Sequence, residues 1–164
     1  MVRCGAIGAV RAFGKTRTLE VRHNGLMELS DVVSLIRENP LLVAATVSAL
    51  STPESALVET AITEEGVMVY GSQEKTRKID NLRQNPAVAL MAWNQDYSHS
   101  VQIDGTGMLV DEAHRAWAEE LFFGQFPDKA GKPGFVLVVM RPTWVRWVDR
   151  SQPGLPQMQQ VSLA

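Results

Sequence analysis

Residues Val67 to Trp93 read VMVYGSQEKTRKIDNLRQNPAVALMAW. The apolar run Val67 to Tyr70 predicts a strand. Glu64-Glu65-Gly66 ahead of it is a short hairpin loop, and Leu57 to Thr63 alternates enough to be the strand before. After Tyr70 the chain turns. Lys75 to Gln84 predicts a compact polar helix, whose Ile79 and Leu82 lie three apart and face a core. Asn85-Pro86 ends it, because a residue before proline is pushed out of the helical region. Val88 to Trp93 is the next strand. Neighbouring short strands joined by tight loops favour an antiparallel sheet; a parallel α/β fold would need regular strand–helix alternation.

Working towards the N-terminus, Leu41 to Ala49 is a strand rich in Val and Thr, with a turn at Ser51-Thr-Pro-Glu-Ser55. Ser30-Asp31 opens an amphipathic helix carrying Val32, Val33, Leu35 and Ile36, which stops before Pro40. Residues 1–26 are arginine-rich and acid-poor, with no clear period. They read as an unstructured or misassigned extension, with the folded domain spanning 27–150. Working towards the C-terminus, Val101 to Val110 is a strand interrupted by Gly105 and Gly107, the mark of a bend or bulge. Asp111 then caps a helix through Phe122, with Ala116, Trp117, Leu121 and Phe122 as its buried face. Phe135 to Met140 and Trp144 to Val148 are two further strands joined at Arg141-Pro142. Residues 151–164, rich in Pro, Gln and Ser, read as a flexible tail. Seven short strands and three small helices predict a mainly β (α+β) barrel.

The 164 residues suit one domain. With 45% hydrophobic and 21% charged residues and a net charge of −2, the chain is neither disordered nor a basic nucleic-acid binder. No apolar run is long enough for a membrane helix. The single cysteine, Cys4, excludes an internal disulfide framework and fits a cytoplasmic setting. His23, His99 and His114 share no ligand spacing, so no metal site is expected.

The chemistry concentrates at Lys75-Thr76-Arg77-Lys78. Cations in a first helical turn oppose the macrodipole unless an anion compensates them. Amide groups at a helix start, a hydroxyl and several cations together suit a phosphate. Taken alone, the run reads equally as a solvated basic face. Trp144 and Trp147 alternate with Arg146, so both indoles are expected on one sheet face, as barrel wall, subunit contact or lining of a cleft. No Ser-His-Asp order with hydrolase context and no glycine-rich nucleotide loop is present.

The segment resembles the phosphate-binding stretch of the pyridoxamine 5′-phosphate oxidase-like family, the FMN-binding split barrels. That family shows a strand ending in an aromatic-Thr pair, a Ser-Arg-Lys triplet, a short helix, Asn-Pro and an apolar strand. Tyr70-Gly71, Thr76-Arg77-Lys78, Asn85-Pro86 and Val88 to Trp93 stand in that order. VQIDGTGMLVDE at 101–112 and RPTWVRWVD at 141–149 resemble its later strands.

The resemblance implies a split β-barrel homodimer with FMN in a cleft between subunits, oxidising or reducing a small molecule. Thr76, Arg77 and Lys78 would hold the phosphate. Tyr70 and Gly71 would lie along the flavin and ribityl chain. Val58, Glu59 and Thr60 would offer backbone groups to the ring, and Ser100 stands where the family has a glutamine. Trp93, Phe135, Trp144 and Trp147 are spare apolar residues for an isologous interface. Gly71 replaces the usual threonine. The oxidase's arginine-rich Arg-Leu-His-Asp-Arg-type segment has no counterpart in VDRSQPGLPQMQQVSLA, so pyridoxamine phosphate is not the expected substrate. The alternatives are a deazaflavin (F420) reductase on the same fold and a flavin- or haem-binding protein without turnover. No catalytic acid or base is identifiable.

Overall fold

The computed structural model describes residues 27–163; the extension read over residues 1–26 lies outside the described residues. Helix α1 (Leu29–Glu38) begins just ahead of Ser30. Asp31 Oδ2 accepts the Glu28 N–H at 2.7 Å, half of a capping box. Its apolar stripe buries Val32, Val33, Leu35 and Ile36.

Six antiparallel strands follow: β1 (Leu41–Val47), β2 (Pro53–Ile62), β3 (Met68–Gln73), β4 (Ala87–Trp93), β5 (His99–Leu109) and β6 (Phe135–Asp149). Their spatial order is β3-β2-β1-β4-β5-β6, and β6 returns to pair with β3, so the sheet closes into a barrel. Helix α2 (Arg77–Gln84) separates β3 from β4; α3 (Arg115–Gln125) and a 3₁₀ turn (Pro127–Lys129) separate β5 from β6.

Alternation along β3 divides the apolar residues between two cores. Met68 and Tyr70 point into the barrel with Ile36, Leu42, Leu90 and Ile103. Val69 points outwards, to a second cluster where α3 lays Ala118 and Phe122 over Leu137 and Val139. Of the expected face of α3, Trp117, Leu121 and Phe122 pack on this cluster, whereas Ala116 is exposed and Ala118 is buried instead. The first turn of α3 also starts later: Asp111 Oδ1 accepts the His114 N–H at 3.0 Å in a turn ahead of the helix.

The barrel is split between β2 and β3. Their ladder covers only Thr60–Ile62 against Met68–Tyr70. Beyond it residues 53–59 pair with β1 alone, and Gly71–Gln73 pair with β6 alone. The start of α2 lies against β2 and β1 there. Arg77 meets Glu54 on β2, and the buried Asn81 donates to Thr46 Oγ1 on β1 at 3.0 Å.

Three expectations are corrected. The two C-terminal strands are one fifteen-residue strand, β6. Pro142, which cannot donate to a ladder, sits opposite Gly105, where the β5–β6 register shifts. Residues 157–162 are not a frayed tail; they form β7 (Gln157–Ser162), paired with Trp144–Asp149 on the outer edge of β6. Backbone pairing holds this polar strand, together with Leu163 against the core and Gln159, whose Oε1 accepts the Met27 N–H at 2.7 Å. Trp144 and Trp147 do not share a face, because residues three apart on a regular strand point to opposite sides. Arg146 lies over the Trp144 ring at 5.8 Å, while Trp147 packs on the barrel core beside His99.

Candidate functional site

Two strands that separate leave backbone edges without ladder partners, and such edges seek hydrogen bonds. Val58 and Glu59 lie on the β2 edge of the split, and Thr60 marks where it closes. Their side chains go elsewhere. Val58 is in the core, and Glu59 turns outward to the Lys129 ammonium at 2.6 Å. That contact holds the Lys129 pKa above its ordinary value. Thr60 and Tyr70 face each other across the ladder, fully buried, and neither hydroxyl has a hydrogen-bond partner in the structure. Burial pushes the Tyr70 phenol well above its ordinary pKa.

Where β3 turns into α2, three polar side chains converge. Lys78 Nζ donates to Ser72 Oγ at 3.2 Å, and Ser72 Oγ lies 3.1 Å from Thr76 Oγ1. Thr76 is the residue ahead of the helix, but its hydroxyl turns back to the Gln73 carbonyl at 2.9 Å and leaves the first-turn amides uncapped. Lys78 is half-buried, and desolvation lowers its pKa. No carboxylate lies within ion-pair distance of it among the described residues, which leaves its charge uncompensated. Arg77 differs: its exposed guanidinium meets Glu54 Oε1 at 2.9 Å.

The structure therefore brings Thr76 and Lys78 to Ser72 on β3 and Arg77 to Glu54 at the start of β2, whereas Val58, Glu59 and Thr60 lie four to six residues further along β2. The Tyr70 ring fills the barrel interior instead of lining this opening. Gly71 points to the opposite face, where an added Cβ would lie 2.7 Å from Phe122 Cζ and overlap the Phe135 ring. The space that a threonine side chain would need is occupied by phenylalanine. Ser100 is on β5, with β1 and β4 between it and β2, and its hydroxyl accepts from Arg150 at 3.1 Å. Ser72 pairs with Val136 and Ser100 with Val148, twelve residues apart on β6, so at ~3.3 Å per residue one chain does not bring Ser100 to the cations.

Sequence reasoning missed Ser72 and Glu54. Ser72 lies two residues after the core-facing Tyr70 and was available as an alternation signal. Glu54 falls in the Ser51–Ser55 stretch whose composition predicts a turn, yet it stands on β2. A separate groove of about 210 Å³ lies below α3, with Phe123 and Phe135 among its lining residues. Its arginines are compensated: Arg83 meets Glu74 at 2.9 Å, and Arg115 meets Glu112 at 2.9 Å. No helix of the described residues is long and apolar enough to cross a membrane.

A closed six-stranded antiparallel barrel, opened between two strands by a short basic helix, defines the split-barrel class. Within it, the chain belongs to the pyridoxamine 5′-phosphate oxidase family, whose profile matches residues 30–149. No protein of curated function matches the sequence.

Solved structures share the fold. A pyridoxamine 5′-phosphate oxidase-related, FMN-binding protein from Nostoc punctiforme is 14% identical, with a TM-score of 0.59 over 83% of this chain and 94% of its own. A protein described as an F420 reductase is 24% identical, with a TM-score of 0.56 over 68% of this chain and 93% of its own. A haem-binding protein from Mycobacterium smegmatis is 16% identical, with a TM-score of 0.66 over 87% of this chain and 59% of its own. At these identities the likeness is one of fold.

Proposed function

We propose that this protein is an oxidoreductase acting on a small molecule through a phosphate-bearing flavin-type cofactor, FMN or the deazaflavin F420. The observation that carries the reading is the uncompensated, half-buried Lys78 with Ser72 and Thr76 beside an open strand edge. Burying a cation costs free energy unless something pairs with it, and an anionic ligand supplies that pair. The β2 edge at Val58 and Glu59 suits the amide-like rim of a flavin ring, as Lys78, Ser72 and Thr76 suit a phosphate. Such a cofactor supplies hydride transfer; the chain binds it, orients it and controls access to it.

The test is titration of the purified protein with FMN, riboflavin, F420 and haem, followed by absorbance. Binding of FMN or F420 at least about tenfold tighter than riboflavin supports the reading, since tenfold is about 1.4 kcal/mol of phosphate recognition. FMN and F420 binding no tighter than riboflavin, or haem binding alone, would overturn it.

We further propose a homodimer with the cleft between subunits. The outer face of β1, β2 and β4 is apolar where solvent would favour polar residues: Leu41, Leu57 and Met91 are 51%, 59% and 45% exposed. Val43 pairs with both Leu57 and Met91, so the patch is continuous across three strands. A contiguous apolar patch of this kind marks an interaction surface. Phe135 and Trp147, expected at an interface, pack on the two cores instead. In sedimentation the protein should run at about twice its 18.1 kDa chain mass. Met91→Glu should give a folded monomer, because a charge at the centre of an isologous patch is buried twice over. A wild-type monomer would overturn this.

A further inference from the structure

Glu54 is held in place more firmly than the arginine it meets. Its Oε1 is 2.9 Å from Arg77, and its Oε2 accepts from Asn81 Nδ2 at 3.1 Å. Asn81 is 5% exposed and is itself anchored on the buried Thr46 hydroxyl. The Glu54 side chain is 17% exposed, whereas that of Arg77 is 83% exposed. The carboxylate is therefore the fixed member of the pair and the guanidinium the mobile one. Lys75 is exposed in the preceding turn and makes none of these contacts; Glu74 is engaged by Arg83.

Glu54 thus offsets Arg77 and leaves Lys78 as the held cation at the start of α2 with no carboxylate partner among the described residues. A phosphate monoester carries close to two negative charges at neutral pH, because its second ionisation lies near pH 6. A phosphodiester carries one. Bringing the second charge of a monoester beside a fixed carboxylate costs free energy through like-charge repulsion, and Arg77 cannot serve both anions fully.

We propose that Glu54 makes this site selective for a singly charged phosphodiester over a doubly charged phosphate monoester. The proposal rests on the reading of the split as a phosphate-bearing cofactor site and sets the charge class of that cofactor.

The experiment compares FMN with its monomethyl phosphate ester, which keeps the ring and ribityl chain and removes one charge. Riboflavin is the phosphate-free reference. The wild type should bind the ester at least as tightly as FMN. Glu54→Gln keeps the shape and an acceptor oxygen, and should shift the ratio of affinities towards FMN by about tenfold. Arg77→Met, at a largely exposed position, should shift the ratio the other way, towards the ester.

Ratios that stay within about twofold of wild type in both variants, with both phosphates still bound better than riboflavin, would overturn the charge selection and leave the phosphate site standing. Both phosphates binding no better than riboflavin in all three proteins would overturn the site and the selection together.

Discussion

Replacing Lys78 by methionine is expected to weaken FMN and F420 by ~10- to 100-fold and to leave riboflavin unchanged. A charge-assisted hydrogen bond to a phosphate is worth ~1.5–3 kcal/mol, and each 1.4 kcal/mol is about a factor of ten in affinity. Methionine keeps the apolar stem and removes the ammonium. Ser72 is not orphaned, because its hydroxyl still has the Gln73 carbonyl at 3.2 Å and Thr76. The melting temperature should hold or rise, since desolvation penalises the lysine charge in the empty site.

The linkage has a definite sign. The folded-state pKa of Lys78 lies below its unfolded value, so the burial penalty is present at neutral pH and fades as pH rises through the folded value. Phosphate affinity runs with the charge. It should be full at neutral pH and fall through the depressed pKa, below the ordinary lysine range. Isothermal titration at several pH values measures the affinity, and thermal melts over the same range measure the stability. Equal losses for FMN and riboflavin would show a damaged fold, and no loss for FMN would remove Lys78 from the site.

What was legible in the sequence follows from which signals are local. Helix α2 was readable because Ile79 and Leu82 keep a helical spacing and Asn85-Pro86 stops it; it runs over Arg77–Gln84, two residues short of the expected start. The distortion near Gly105 was readable because a strand rarely tolerates glycine without one. Strand β7 was hidden, since Gln, Met and Ser carry no hydrophobic alternation and the pairing is made by backbone. The continuity of β6 was hidden by Pro142, which reads as a break unless the partner strand's irregularity is known. At the site, the adjacent residues Thr76, Arg77 and Lys78 were found together, but their inequality was not. That depends on Glu54, twenty-three positions upstream of Arg77, facing the helix across the split. Which cation keeps a free charge is a property of tertiary contact.

Gly105→Ala is expected to destabilise the protein by at least ~3 kcal/mol, because the closure of the barrel depends on backbone contact at that point. A Cβ at Gly105 would overlap the Arg141 carbonyl oxygen and lie 2.9 Å from its carbon and 2.7 Å from Met140 Cε. The methionine can move; the backbone has little room to. Arg141 and Pro142 are held by pairing to Thr106 and Gly105, and proline fixes its own φ. Here β6 passes from pairing with β3, over Phe135–Met140, to pairing with β7, over Trp144–Asp149. Pushing the strands apart would therefore loosen the seam that closes the barrel as well as the edge that carries β7. At ~2–4 °C per kcal/mol for a chain of this size, the melting temperature should fall by ~6–12 °C or more. Gly124→Ala is the matched control. It lies within α3, and nothing stands within 4 Å of its added Cβ. There alanine should stabilise by ~0.5–1 kcal/mol through helix propensity and reduced unfolded-state entropy. Opposite shifts for the two substitutions would trace the loss at Gly105 to the close approach of β5 and β6. A Gly105→Ala protein melting like the wild type would mean that the strands can separate there freely, and that the barrel closes by some other contact.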